Sequence, residues 1–265
     1  MNPTRAPMRF AARLWISALC LGLPVVALAQ DEGFRDDFDT FDRERWYVSD
    51  GWSNGDWQAC TWSSDMLSVD DGMLTIGIAS AGQGSEDYLC GEIQTDDVLH
   101  YGTYEIRART DAAMGVNAAF FTYIGPVHGV THNEIDIEVL GRQPEQVEFN
   151  TYLDGEAAHG AIVPLPEAGR ADEGFHTYAF VWEEDRIRWY VNGVLLHEAT
   201  GPDLPQEPQK LYISHWNTTV MTDWMGLFVD PGQPVEMEID WVAFTPLGAD
   251  CQFEESVACQ EAASP

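Results

Sequence analysis

Apolar and polar residues alternate along this chain in short runs broken by turn residues. Met66 to Val69 alternates, Asp71-Gly72 interrupts, and Met73 to Ile78 resumes, which predicts a hairpin. His176 to Trp182, Ile187 to Val191 and Val194 to His197 form a second set, separated by Glu183-Glu184-Asp185 and by Asn192-Gly193. Asn-Gly is a dipeptide suited to a tight two-residue turn. No segment carries a long helical stripe. The Pro-rich stretch from Gly201 to Pro208 reads as a loop, and the residues after Pro246 read as irregular. Many short antiparallel strands predict an all-β sandwich or jelly roll, in which two curved sheets bury their facing sides and one concave side is left to hold a polymer.

One run departs from ordinary alternation. His132-Asn133-Glu134-Ile135-Asp136-Ile137-Glu138-Val139 puts a carboxylate at every second position with aliphatic residues between. On a strand this makes one face all acid and the other all apolar. Three neighbouring anions repel one another, so the fold gains nothing from them unless they face water. An exposed acidic strand is the plain alternative, since 44 acidic residues against 13 basic ones make such runs common. Chemistry gains more: crowded carboxyls split their pKa values and leave a protonated acid beside an ionised neighbour near neutral pH.

Composition narrows the compartment and the partner. Arg5, Arg9 and Arg13 precede an apolar run from Leu14 to Ala29 that ends in Ala27-Leu28-Ala29, the pattern of a cleaved signal peptide. Cleavage is expected after Ala29, giving a signal peptide over 1–29, a catalytic domain over 30–250, and a short tail over 251–265. The protein is expected to be secreted, to the periplasm or the medium. Loss of three arginines moves the formal charge from −31 to −34, leaving 10 basic against 44 acidic residues. That excess repels nucleic acid and anionic membranes, whereas a neutral ligand meets no such barrier. Cys20 leaves with the leader, and the even count that remains is expected to pair as Cys60 with Cys90 and Cys251 with Cys259. A zinc site is the weaker reading because no Cys-x-x-Cys pairs occur.

Glu134-Ile135-Asp136-Ile137-Glu138 resembles the Glu-x-Asp-x-Glu signature of glycoside hydrolase family sixteen. The likeness is to bacterial lichenases, the endo-β-1,3-1,4-glucanases, and to secreted glycanases that trim exopolysaccharides such as succinoglycan. It extends from about Phe38 to Phe244. It is carried also by Gly51-Trp52-Ser53-Asn54-Gly55, Cys60-Thr61-Trp62, Tyr101-Gly102-Thr103-Tyr104-Glu105, Phe120-Phe121-Thr122-Tyr123, Gly125-Pro126-Val127-His128-Gly129, Phe149-Asn150-Thr151-Tyr152 and His176-Thr177-Tyr178-Ala179-Phe180. The resemblance implies a β-jelly roll and a retaining double displacement, with Glu134 as nucleophile, Glu138 as general acid and then base, and Asp136 tuning both. With Glu134 and Asp136 ionised, Glu138 is expected to hold its proton for the leaving oxygen. Retention needs two carboxyls roughly 5 to 5.5 Å apart, whereas Cα atoms four apart on a flat strand are roughly 13 Å apart, so the side chains must lean together.

By the same resemblance Trp52, Asn54, Glu92, Tyr123, Asn150, Tyr152, Trp216, Asn217 and Trp224 are expected to line the substrate cleft. Trp46, Trp182, Trp189 and Trp241 read as core. His128 and His132 read as loop or ligand contacts without a proton-transfer role. Three positions depart from the lichenase pattern: Gln94 stands for an Arg, His132 for a Trp and Ser214 for an Asn. All touch substrate positions, so they bear on linkage preference and leave the reaction type intact. No cofactor is expected for catalysis. A structural calcium is implied at Asp37, Gly72 and Asp240, whose oxygens suit that ion. The expected substrate is a neutral or weakly charged β-glucan, met by a monomer. A transglycosylase of the same family and a non-catalytic carbohydrate-binding jelly roll are the competing functions.

Overall fold

The computed structural model describes residues 32–82 and 87–262. The signal segment and its cleavage point lie outside the described residues. In chain order the strands are β1 (Phe34–Asp36), β2 (Trp46–Val48), β3 (Cys60–Trp62), β4 (Leu67–Asp70), β5 (Met73–Ser80), β6 (Tyr88–Thr95), β7 (Gly102–Thr110) and β8 (Val116–Ile124). They continue as β9 (Asn133–Leu140), β10 (Gln146–Leu153), β11 (Glu156–Pro164), β12 (His176–Trp182), β13 (Arg186–Val191), β14 (Val194–Thr200), β15 (Lys210–Asn217) and β16 (Val235–Pro246). Two short helices, α1 (Thr222–Met225) and α2 (Val257–Ala262), complete the described elements.

Hydrogen bonding runs along one path, β11-β10-β9-β8-β15-β6-β5-β16-β7-β12-β13-β14. It folds into two layers joined where Ala79 and Ser80 of β5 meet Leu89 and Tyr88 of β6. This is the jelly-roll sandwich that the alternation predicts. Both hairpin turns carry positive φ at their two central residues, Asp71 and Gly72 in one and Asn192 and Gly193 in the other. That backbone matches the right-handed strand twist, which is why Asp-Gly and Asn-Gly stand there.

The core lies between the layers. Ile135, Ile137 and Val139 of β9 point inward with Phe120, Phe149 and Ile213, against Ile106, Phe180, Trp189 and Val242 of the other layer. Burying each such side chain is worth about 1.5–3 kcal/mol. A one-residue slip of β9 would exchange the aliphatic row for the acidic one, so the core fixes which way Glu134, Asp136 and Glu138 face. Trp46, Trp182, Trp189 and Trp241 are buried as expected.

Both cysteine pairs form as expected, Cys60 with Cys90 and Cys251 with Cys259. The tail differs from its irregular reading. It ends in α2, whose Val257 packs with Ala179, Val181 and Tyr190. The buried Glu105 carboxylate accepts hydrogen bonds from Ser256 Oγ at 2.5 Å and from the Val257 amide at 2.8 Å. A helix this short shows no period in sequence, and its partners lie on strands far away in the chain.

Candidate active site

Strand register sorts the concave face into rows. Tyr152, Glu134, Tyr123 and Lys210 lie side by side across β10, β9, β8 and β15. The next row holds Asn150, Asp136, Phe121, Tyr212, Gln94 and Tyr47. The third holds Glu148, Glu138, Ala119, Ser214 and Glu92. Paired residues on neighbouring antiparallel strands share a face, so residues from six strands look out together.

A cleft of about 940 Å³ opens in front of these rows. One part of its wall is aromatic, with Trp52, Trp57, Trp62, Trp216 and Trp224 around Asn54. The other part is polar, with His128, His132, Tyr123 and Lys210 beside Glu134. Asp136, Glu138, Glu92 and Gln94 stand between. Flat aromatic faces with a few placed polar groups suit sugar rings and their hydroxyls.

Burial sets the protonation of this floor. Asp136 is fully enclosed, and desolvation first, then the charges of Glu134 and Glu138, push its pKa well above the ordinary value. Its contact with the Glu134 carboxyl adds to the rise. This direction runs against the expectation of an ionised Asp136, because burial disfavours the charged form of its carboxyl. Glu138 is raised to about 8, chiefly by burial, with Glu134 and Glu148 adding to the rise and Asn117 opposing it. Asn117 Nδ2 donates to Glu138 Oε1 at 2.7 Å. Glu92 is raised to about 7 by burial while its Oε1 accepts the Ser49 hydroxyl at 2.7 Å.

His132 lies two residues before Glu134, and its Nε2 hydrogen-bonds Glu134 Oε2. The ring stacks on Tyr152 with centroids 5.0 Å apart. Asn150 and Tyr152 stand one strand over from the catalytic residues, beside Asp136 and Glu134. Neither lines the open cleft. Asn217 is corrected: it is wholly buried, and strand alternation turns it away from the face that its neighbour Trp216 shows to the cleft.

Several contributors escaped the sequence reading. Glu148 pairs across from Glu138 and accepts Trp224 Nε1–H at 2.8 Å. Once Asn150 and Tyr152 are placed on this face, the period of two in β10 puts Glu148 beside them. Asn117 and Trp57 carry no such signal. One depends on register with β9, and the other sits on a loop where its ring meets Trp216 at 4.8 Å.

The positions expected to hold calcium also come together, on the other layer. β1 and β5 pair with the same edge of β16, one along Val242–Phe244 and the other along Val235–Ile239. The gap between them falls at Asp240. A Cβ built on Gly72 would lie 3.6 Å from the Asp37 carbonyl oxygen, so these two backbones meet there. The Asp240 carboxylate is ion-paired with Arg107 through Oδ2. Among the described residues no group of three His, Cys, Asp or Glu side chains forms a metal cluster.

Comparison with known proteins agrees with this geometry. The family profile described as "Glycosyl hydrolases family 16" matches residues 54–243. Endo-1,3-1,4-beta-glycanase ExoK of Rhizobium meliloti is 46% identical over 230 residues, covering 86% of this chain and 84% of that protein. A Beta-glucanase of Paenibacillus macerans is 39% identical over 206 residues, covering 77% and 84%. The solved Bacillus licheniformis beta-glucanase superposes with a TM-score of 0.76 at 34% identity, covering 80% of this chain and 97% of its own. The concave floor of carboxyls and the sugar-sized aromatic cleft are thus those of a glycoside hydrolase, and the chain belongs to glycosyl hydrolases family 16.

Proposed function

We propose that the protein is a secreted, endo-acting β-glucanase that hydrolyses β-1,4 linkages in a mixed β-1,3-1,4-glucan or a related bacterial exopolysaccharide, with retention. The observation that carries this is the set of three carboxyls of β9 on one face of one open, tryptophan-walled cleft. Glu134, hydrogen-bonded by His132, is the nucleophile. Glu138, raised to about 8, carries a proton at neutral pH. It gives that proton to the leaving glycosidic oxygen as Glu134 bonds to the anomeric carbon. Ester formation removes the charge of Glu134, so Glu138 ionises more readily and takes a proton from the attacking water. Water then breaks the ester, and both carboxyls return to their starting states. Among the described residues no arginine lines the cleft, which leaves it free for an uncharged backbone, and the tryptophan wall supplies its stacking surfaces.

Product analysis on mixed-linkage glucan tests the reading. It expects oligosaccharides from early time points, β-anomers at first release by NMR, and new reducing ends at 1,4-linked positions. Inverted α-products, or release of monosaccharide alone, would sink it. Transfer to added sugar acceptors in the same assay separates a transglycosylase from a hydrolase. A mature N-terminus at Gln30 would support export. We also propose a structural calcium held by the carbonyls of Asp37 and Gly72 and by Asp240, where oxygen donors tie β1 and the β4–β5 hairpin to β16.

A further inference from the structure

Lys210 is the sole lysine in the 265 residues. It opens β15 opposite Tyr123, which lies opposite Glu134, so the lysine shares the cleft face with Glu134. Two strand spacings separate them, roughly 10 Å. Nζ donates to the Thr95 carbonyl at 2.9 Å, which fixes the ammonium and leaves two of its protons unspent. Seven of the nine arginines among the described residues are ion-paired with carboxylates. Lys210 forms no ion pair among those residues, although acids outnumber bases so heavily.

His128 adds a second donor at the same end of the cleft. Its Nδ1 accepts the Gly125 amide at 3.4 Å, which leaves the proton on Nε2, and the side chain is exposed. Burial, and then the nearby charge of Lys210, hold the His128 pKa below its ordinary value, so the two groups lie within electrostatic reach. Lys210 is not among the groups that set the pKa of Asp136 or Glu138. Asp96 and Glu134 line the same cleft, in which Lys210 is the one lysine or arginine among the described residues.

We propose that Lys210 and His128 form a subsite for a carboxylate carried on the glycan, which makes the preferred substrate an acidic β-glucan. This rests on the β-glucanase reading above and deepens it. In a chain whose field repels anions, one fixed and unpaired ammonium admits a carboxylate at a single place and so sets its register relative to Glu134.

The test uses three polymers with one backbone: unmodified mixed-linkage glucan, its carboxymethyl ether, and its C6-oxidised uronate form. Wild-type protein is expected to show kcat/KM about tenfold higher on one acidic polymer than on the unmodified one at low salt. The polymer preferred tells a carboxylate on a substituent arm from one on the sugar ring. The preference should shrink in about 0.5 M NaCl, vanish in Lys210→Gln, and persist in Lys210→Arg. Equal loss on all three polymers in Lys210→Gln, or a wild type that favours neither acidic form, would overturn the subsite and leave the β-glucanase reading standing. Failure of the wild type to cut any of the three would remove both.

Discussion

Two strands carry nearly the same acidic pattern and meet opposite fates. Glu134, Asp136 and Glu138 alternate with aliphatic residues on β9, and Glu236, Glu238 and Asp240 alternate with Met237 and Ile239 on β16. On β16 the neighbouring strand β7 supplies cations: Arg109 Nε donates to Glu238 at 2.7 Å, Arg107 pairs with Asp240, and Glu236 is exposed. These acids are surface groups, each part-exposed pair worth little. On β9 the neighbours across β8 and β10 are Ala119, Phe121, Tyr123 and Glu148, Asn150, Tyr152, with no cation among them. Enclosure without a counter-charge forces protons onto Asp136 and Glu138. A row of acids is thus a surface or a catalytic floor according to what the next strand brings.

The largest effects should come from the β9 triad. Glu134→Ala and Glu138→Gln are each expected to lower kcat on mixed-linkage glucan by roughly 10³-fold, with Tm held or raised, since general acid–base groups alone supply 10²–10⁴. Unchanged turnover in either variant would erase the contrast with β16.

Protonation sharpens the comparison next. The folded pKa of Glu92 is about 7 against an ordinary 4.5, so the folded protein binds this proton more tightly than the unfolded chain. Its contribution is therefore fully present below about pH 4.5 and lost as pH rises through about 7. Glu92→Gln should match wild type near pH 4 and exceed it above pH 7 by on the order of 3 kcal/mol, read from denaturant midpoints. Asn117→Ala removes the hydrogen bond that lowers the Glu138 pKa. The alkaline limb of kcat/KM, which reports loss of the acid proton, should then move to higher pH. A limb moving down would show that another group sets it.

The proposed calcium would act on the β16 side. A metal present at about 100 times its Kd would stabilise the fold by about 2.7 kcal/mol. Chelation is expected to lower Tm while leaving the catalytic pH profile in place, and equal Tm with and without chelator would dismiss the site. The smallest effect belongs to the ion pairs. Arg109→Ala leaves a part-exposed Glu238 unpaired, with side chains 42% and 29% exposed in the pair. It should cost at most about 1 kcal/mol, a Tm change of about 2–4 °C, with kcat/KM unaltered. A loss of several kcal/mol there would show that β16 is not the inert member of the pair.

Much of this was legible in the residues. The two hairpins follow from Asp71-Gly72 and Asn192-Gly193 between alternating runs, because turn backbone and strand period are local properties. The inward aliphatic row and outward acid row of β9 follow from the period of two. Asn217 was placed at the cleft by the family resemblance, whereas its burial follows from the packing of β15, and α2 was missed because its contacts are all long-range. Local pattern equally gave no means of telling the β9 triad from the β16 triad; only the surrounding family-like segments favoured the former.

The sequence by itself determined an all-β sandwich, the side of β9 that bears acid, the cysteine pairs and the family. Those depend on covalent order and on periods of a few residues. Tertiary structure alone decided which carboxyls keep protons, which meet arginines, and that Asn117, Glu148, Trp57 and the lone lysine stand at the cleft. Each of these depends on burial and on register between strands far apart in the chain, and desolvation acts only once the layers have closed.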